Sequence, residues 1–152
     1  MAIMMSASSL SAQSYSELWK QAEAAAKKDL PKTQMEVLEK IVKKAKKEKA
    51  YGHLLKAQLG HANLQMKIAP DSLKPVMERL EQQTAEAEKK DPALGAVMDA
   101  VMASAYKDNS ELGEDSGDKS QAYFKKVFSN VSLLANTPAN RFKPLVEEGV
   151  ST

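Results

Sequence analysis

Apolar residues recur along this chain at steps of three and four, the spacing of a buried helical face, and the steps are broken at a few sharp corners. Tyr15, Leu18, Trp19, Ala22 and Ala26 make the first such face. Ser14 or Ser16 can cap it, and Glu17 stands where the helix dipole favours an acid. Trp19, the lone tryptophan, is expected to anchor a core. Pro31 ends this helix and opens the next, because its missing N–H costs nothing in a first turn. The second stripe is Val37, Leu38, Ile41, Val42 and Ala45, opposite Glu36, Glu39, Lys40, Lys43, Lys44, Lys46 and Lys47.

Gly52 is read as the next break. The third helix then buries Leu55, Leu59, Ala62 and Met66, with Ala57, Gly60 and Ala62 small enough to admit a close neighbour. A fourth starts at Ser72 with Pro75 in its first turn, and carries Leu73, Met77, Leu80, Thr84 and Ala87. Asp91 caps a fifth, opened by Pro92, with Leu94, Val97, Met98, Val101, Met102 and Ala105 on its buried side. Methionines in one helical stripe read as core. After a polar stretch, 107–119, a sixth helix from about Ser120 to Ala135 carries Tyr123, Phe124, Val127, Phe128, Val131 and Leu134, and is expected to seal one end of the molecule. Asn136, Thr137 and Pro138 stop it.

The end of the first helix, QAEAAAKKDLP, is echoed by TAEAEKKDP, with Lys27 and Lys89 in equivalent places 62 residues apart. That spacing is close to two helical hairpins of tetratricopeptide size, though the signature Trp, Gly and Tyr positions of such repeats are missing. The pattern therefore predicts an all-α fold: a short right-handed array of antiparallel helical hairpins, a tetratricopeptide-like α-solenoid of about six helices. The helical-repeat domain spans 13–136, and 137–152 is a docking tail or linker, apolar at Phe142, Pro144, Leu145 and Val146.

Composition narrows the chemistry. The 152 residues are 43% hydrophobic and 28% charged, enough for one domain with a core. A net charge of +2 gives no nucleic-acid or membrane footprint. The absence of Cys excludes disulfides, thiol catalysis and thiolate metal sites. Residues 1–12, MAIMMSASSLSA, are apolar, small and uncharged. They read as a truncated or atypical signal peptide and hence as export to the periplasm or cell envelope of a bacterium.

The lysines from 43 to 49 lie at a helix C-terminus and read as its solvated end. His53 and His61, about 12 Å apart along a helix, cannot share a metal and read as polar-face or boundary residues. The acids Asp108, Glu111, Glu114, Asp115 and Asp118 fail the EF-hand register around either Gly113 or Gly117, so a surface loop is expected rather than a calcium site. No catalytic, cofactor or metal residue is assigned, and no enzyme is expected.

The segments YSELWKQAEAAAKKDLPKT, KAKKEKAYGHLLKAQL, IAPDSLKPVMERLE, EKKDPALGAVMDAVMASAY and RFKPLVEEGVS together resemble the N-terminal helical region of bacterial, exported alpha-2-macroglobulin-like proteins. The resemblance implies a helical segment ahead of β-sandwich domains. The partners would be the downstream macroglobulin-type domains of the same polypeptide or another envelope protein. Nothing here reads as alternating strands, and no functional residue of that family maps onto the chain. The expected function is a non-catalytic scaffold and interaction module, the alternative being a free-standing adaptor that binds a peptide or protein partner.

Overall fold

The computed structural model describes residues 13–146. The proposed export signal at 1–12 and the last residues of the tail, 147–152, lie outside them. The fold is all-α. Among the described residues there are six long helices: α1 (Tyr15–Lys27), α2 (Pro31–Glu48), α3 (Tyr51–Ile68), α4 (Leu73–Lys90), α5 (Pro92–Asp108) and α6 (Ser116–Ser129). Two short helices follow, α7 (Val131–Ala135) and α8 (Lys143–Val146), and single 3-10 turns cover Pro70–Ser72, Ser110–Leu112 and Ala139–Phe142.

Each long helix packs on its neighbour in the chain. Two apolar clusters result. One joins Leu18, Ala22, Val37, Leu38, Ile41 and Ala57 from α1, α2 and α3. The other joins Leu55 and Ala62 to Val76, Met77, Leu80, Leu94, Met98, Met102 and Tyr106. Helix α3 serves both, presenting Ala57 to the first and Leu55 with Ala62 to the second. Leu59 and Met66 are only half-buried, and Trp19 sits at the rim of the first cluster instead of inside it.

The corners have distinct causes. At the end of α1, Asp29 takes a left-handed conformation at φ 55, and the Leu30 and Asp29 amides close back on the Ala25 and Ala26 carbonyls. That is a Schellman turn, and the sequence hides it by using Asp where glycine is usual. Lys49, at φ 57, makes the same turn at the end of α2. The break between α2 and α3 therefore lies at Lys49, and Gly52 belongs to the first turn of α3. The second Lys-Lys-Asp corner is built differently. Asp91 directly precedes a proline, which bars it from the helical region. It lies extended at φ −148 and caps α5 through the Leu94 amide. Similar letters thus produce two different corners.

Helix α5 is the central element of the second half. Ala93, Leu94, Gly95, Ala96, Met98, Asp99, Met102, Ala103 and Tyr106 are all buried, so it is enclosed on more than the one stripe expected, while Val97 and Val101 are only half-buried. Gly95 sets the α4–α5 approach: a Cβ there would stand 2.6 Å from the Glu88 Cα.

The end of the chain departs most from expectation. Most of 107–119 is helical, because Leu112 packs on the core and Ser116 and Ser120 are buried against α5, with Ser120 donating to the Ala103 carbonyl at 2.8 Å. The expected sixth helix divides at Asn130, whose side chain bonds the Lys126 carbonyl. Its apolar residues cover the core only in part: Tyr123 packs on the second cluster and Phe124, Val127 and Leu134 are half-buried, but Phe128 is 73% exposed, and Val131 and Leu133 are exposed as well. The tail turns back across α3, placing Phe142 and Leu145 on the second cluster and Pro144 over Gly52, while Arg141 pairs with Asp91.

Candidate functional site

A groove runs over the middle of α3, walled by α2 and α4. It consists of two adjoining clefts, of about 260 and 540 Å³, which share Lys46, Gln58 and Gln83. Helix propensity and the pattern of stripes explain its walls. The apolar face of α2 turns toward α1 and α3, so the lysines one turn apart on its other side are left at the groove edge. These are Lys43 and Lys46, joined by Lys49 in the turn, with Arg79 and Lys90 on the α4 side. The lining carries five basic side chains against two carboxylates, Glu39 and Glu86. That excess is larger than the +2 of the whole chain, so the positive charge is concentrated here. Glu39 is engaged by His61, with Nε2 to Oε1 at 3.3 Å. Arg79 donates to the Gln65 amide oxygen at 2.8 Å.

The floor is polar at two points. Gln58 is 7% exposed, and the side-chain oxygens of both Gln58 and Gln83 are buried with no hydrogen-bond partner. An unbonded buried carbonyl is costly, on the order of 1–3 kcal/mol, so the pair is a standing demand for donors. Neither glutamine stood out in the sequence, because a single Gln on a helix carries no periodic signal. The lysines did stand out, and being exposed at a helix end is compatible with lining a groove.

A second polar assembly lies between α4, α5 and α6. Two Glu–Lys pairs seven residues apart connect α4 to α6: Glu81 with Lys119 at 3.6 Å and Glu88 with Lys126 at 3.1 Å. Lys119 and Lys126 also lie over the rings of Tyr106 and Tyr123, which stack at 6.1 Å. Tyr106 donates to Glu81. Burial, followed by that bond, pushes the Tyr106 hydroxyl above its ordinary value. Burial and the carboxylates of Glu81, Glu88 and Asp99 push Tyr123 up to about 12.

Asp99 is 1% exposed, and burial, together with the neighbouring Glu88 carboxylate, raises it to about 7. With its value raised, the Asp99 carboxyl can donate a hydrogen bond to Glu88 when protonated. Burial acts to raise Glu88 too, but the bond from Asp99 and the Lys126 ammonium outweigh it and hold Glu88 below the usual carboxylate range. A carboxyl pair of this kind can be general acid–base machinery, but Asp99 is sealed from any substrate. Its role here is to bind three helices together.

His53 and Trp19 meet at the rim of the first cluster. Trp19 Nε1 donates to His53 Nδ1 at 3.1 Å, and the imidazole stacks on Tyr15 at 3.9 Å. Because indole N–H is a donor only, Nδ1 here is the unprotonated nitrogen. His53 is therefore a fixed joint between α1 and α3, more committed than a boundary residue. On this side of α3 a further cleft of about 500 Å³ runs beside Trp19, Gln34, Lys56 and Leu145. Among the described residues no group of three His, Asp or Glu side chains is placed to hold a metal, and no helix is long and apolar enough to cross a membrane.

Searches for known proteins of the same kind find no matching family model, no matching curated protein and no matching solved structure.

Proposed function

We propose that this chain is a non-catalytic helical interaction module whose groove over α3 receives a segment of a protein partner. The observation that carries the reading is the pair of buried, unbonded amide oxygens of Gln58 and Gln83 under a basic rim. A groove of this kind has charge and hydrogen-bonding capacity to offer a polypeptide. The sealed position of Asp99 also favours a structural role for the acid pair over a catalytic one.

Photo-crosslinking in the native host tests it. A benzoylphenylalanine at Lys43 should capture a discrete protein, while the same probe at Glu23, which lines the cleft beside Trp19, should not. Equal capture from both positions, or none from Lys43, overturns the reading.

A second reading places the module at the N-terminus of an exported alpha-2-macroglobulin-like polypeptide, as the sequence resemblance suggests. It is favoured by the exposed Phe128, Val131 and Leu133 at the α6–α7 end. Terminal units of a helical array are usually polar on the outer side, and this one has apolar surface on which a following domain could rest.

A further inference from the structure

We infer that the groove takes an extended, acidic peptide, an inference that rests on the interaction-module reading and narrows it to one class of ligand. Three features of the groove lead there. The first is charge: Lys43, Lys46 and Lys49 on one rim face Arg79 and Lys90 on the other, and of the two carboxylates in the lining, Glu39 is already engaged by His61. The second is the floor. Gln58 is nine-tenths buried and lines both clefts, and its amide oxygen, like that of Gln83, lacks a donor. The terminal torsion of glutamine is broad, so either carbonyl can swing toward the groove with little strain.

The third is the backbone of the occupant. A helix satisfies its own N–H groups and has none to give to Gln58 or Gln83, whereas an extended segment presents them along its edge. Its side chains alternate to either side, so acids two residues apart lie about 6.6 Å from each other along the strand. Lys43 and Lys49 are about 9 Å apart along the α2 direction, and flexible stems let them and Lys46 meet such acids from one rim. A nucleic acid would bring phosphates to the same lysines but no N–H groups in that register. For stacking the groove offers it Tyr51 and a His61 ring already engaged by Glu39.

The test is a titration of isotopically labelled protein, followed by amide chemical shifts, with an acetylated and amidated octapeptide of alternating Glu and Val. Perturbations are expected at the groove positions of α2, α3 and α4, including Gln58 and Gln83, and not around Trp19. A Lys–Val octapeptide should not bind. The double variant Lys46→Glu, Lys90→Glu should weaken binding about tenfold or more, since both residues are exposed and charge reversal puts repulsion where attraction was. Gln83→Leu should weaken it about fivefold to tenfold, as should N-methylation of alternate peptide bonds, which removes the N–H groups. A thermal melt of each variant confirms that it is folded, and Lys43→Ala with Lys49→Ala replaces the charge-reversal pair if that pair does not fold.

Equal affinity of the N-methylated peptide, unchanged binding by Gln83→Leu, or equal binding of a single-stranded oligodeoxynucleotide of the same charge each overturn the inference. Crosslinking from Lys43 to a partner, with no binding of the acidic peptide, would overturn the ligand class and leave the interaction module standing. Loss of the crosslink would remove both.

Discussion

At the residue scale, Asp99 makes stability depend on pH in an unusual direction. Its ordinary value of about 3.9 applies to the unfolded chain, and its folded value is raised to about 7. Below about pH 4 both states hold the proton. As pH climbs toward 7 the unfolded chain releases it and the folded chain keeps it, so stability is lost across that window. Glu88 runs the other way, because its lowered value makes the Lys126 pairing fail only on acidification. Asp99→Asn keeps a donor for Glu88 and removes the titration. The expected result is a gain on the order of 1–3 kcal/mol at pH 8 and little change at pH 4, read from denaturant midpoints. A variant that lost stability equally at both pH values would contradict this account. Nothing in the sequence marked Asp99 as buried: it lies between Met98 and Ala100 on a helix whose Leu and Met stripe seemed to define its inner face.

At the scale of elements, the glycines separate close approach from spare room. Gly60 was expected to admit a neighbour closely, yet a Cβ there meets only Leu38 methyls at 3.6 and 3.7 Å, an ordinary contact. At Gly95 the same atom would sit 2.6 and 2.8 Å from Glu88 backbone, which cannot turn aside. Gly60→Ala should therefore stabilise by up to about 1 kcal/mol through helix propensity. Gly95→Ala should destabilise by about 2–4 kcal/mol in spite of the same propensity gain, because α4 and α5 must separate. Thermal melts of the two variants check the opposite signs. Helix starts at Pro31 and Pro92 were legible because proline restricts the backbone locally. The Schellman turns at Asp29 and Lys49 were not, because neither residue announces a left-handed conformation.

At the scale of the whole molecule, the two apolar clusters share one helix, α3. The returning tail strengthens that junction by setting Pro144 on Gly52 and Arg141 beside Asp91, so it spans the first turns of α3 and α5. A Cβ at Gly52 would lie 3.1 Å from Pro144 Cγ. Gly52→Val is expected to lift the tail, cost about 1–2 kcal/mol and speed hydrogen exchange at Leu145, with the α1–α2 amides unaffected. Uniform acceleration across all helices would mean that the tail is not a separate fastening. The groove is a property of the same scale. Its walls come from α2 and α4, and its floor from α3 with Gln83 of α4, so no one helix contains it.

The sequence by itself determined the helical class, most helix starts and the apolar faces of α2 and α4, because periodicity and proline geometry act over a few neighbouring residues; on α1, Leu18 and Ala22 are buried as expected, but Ala25 is buried in place of Ala26. Tertiary structure decided which small residues bear contacts, where Asp99 is sealed, and that the aromatic end of α6 faces outward. It also decided that basic residues of α2 and α4 and glutamines of α3 and α4 frame a single groove. Those outcomes depend on the distance between helices, which the pattern along one helix does not encode.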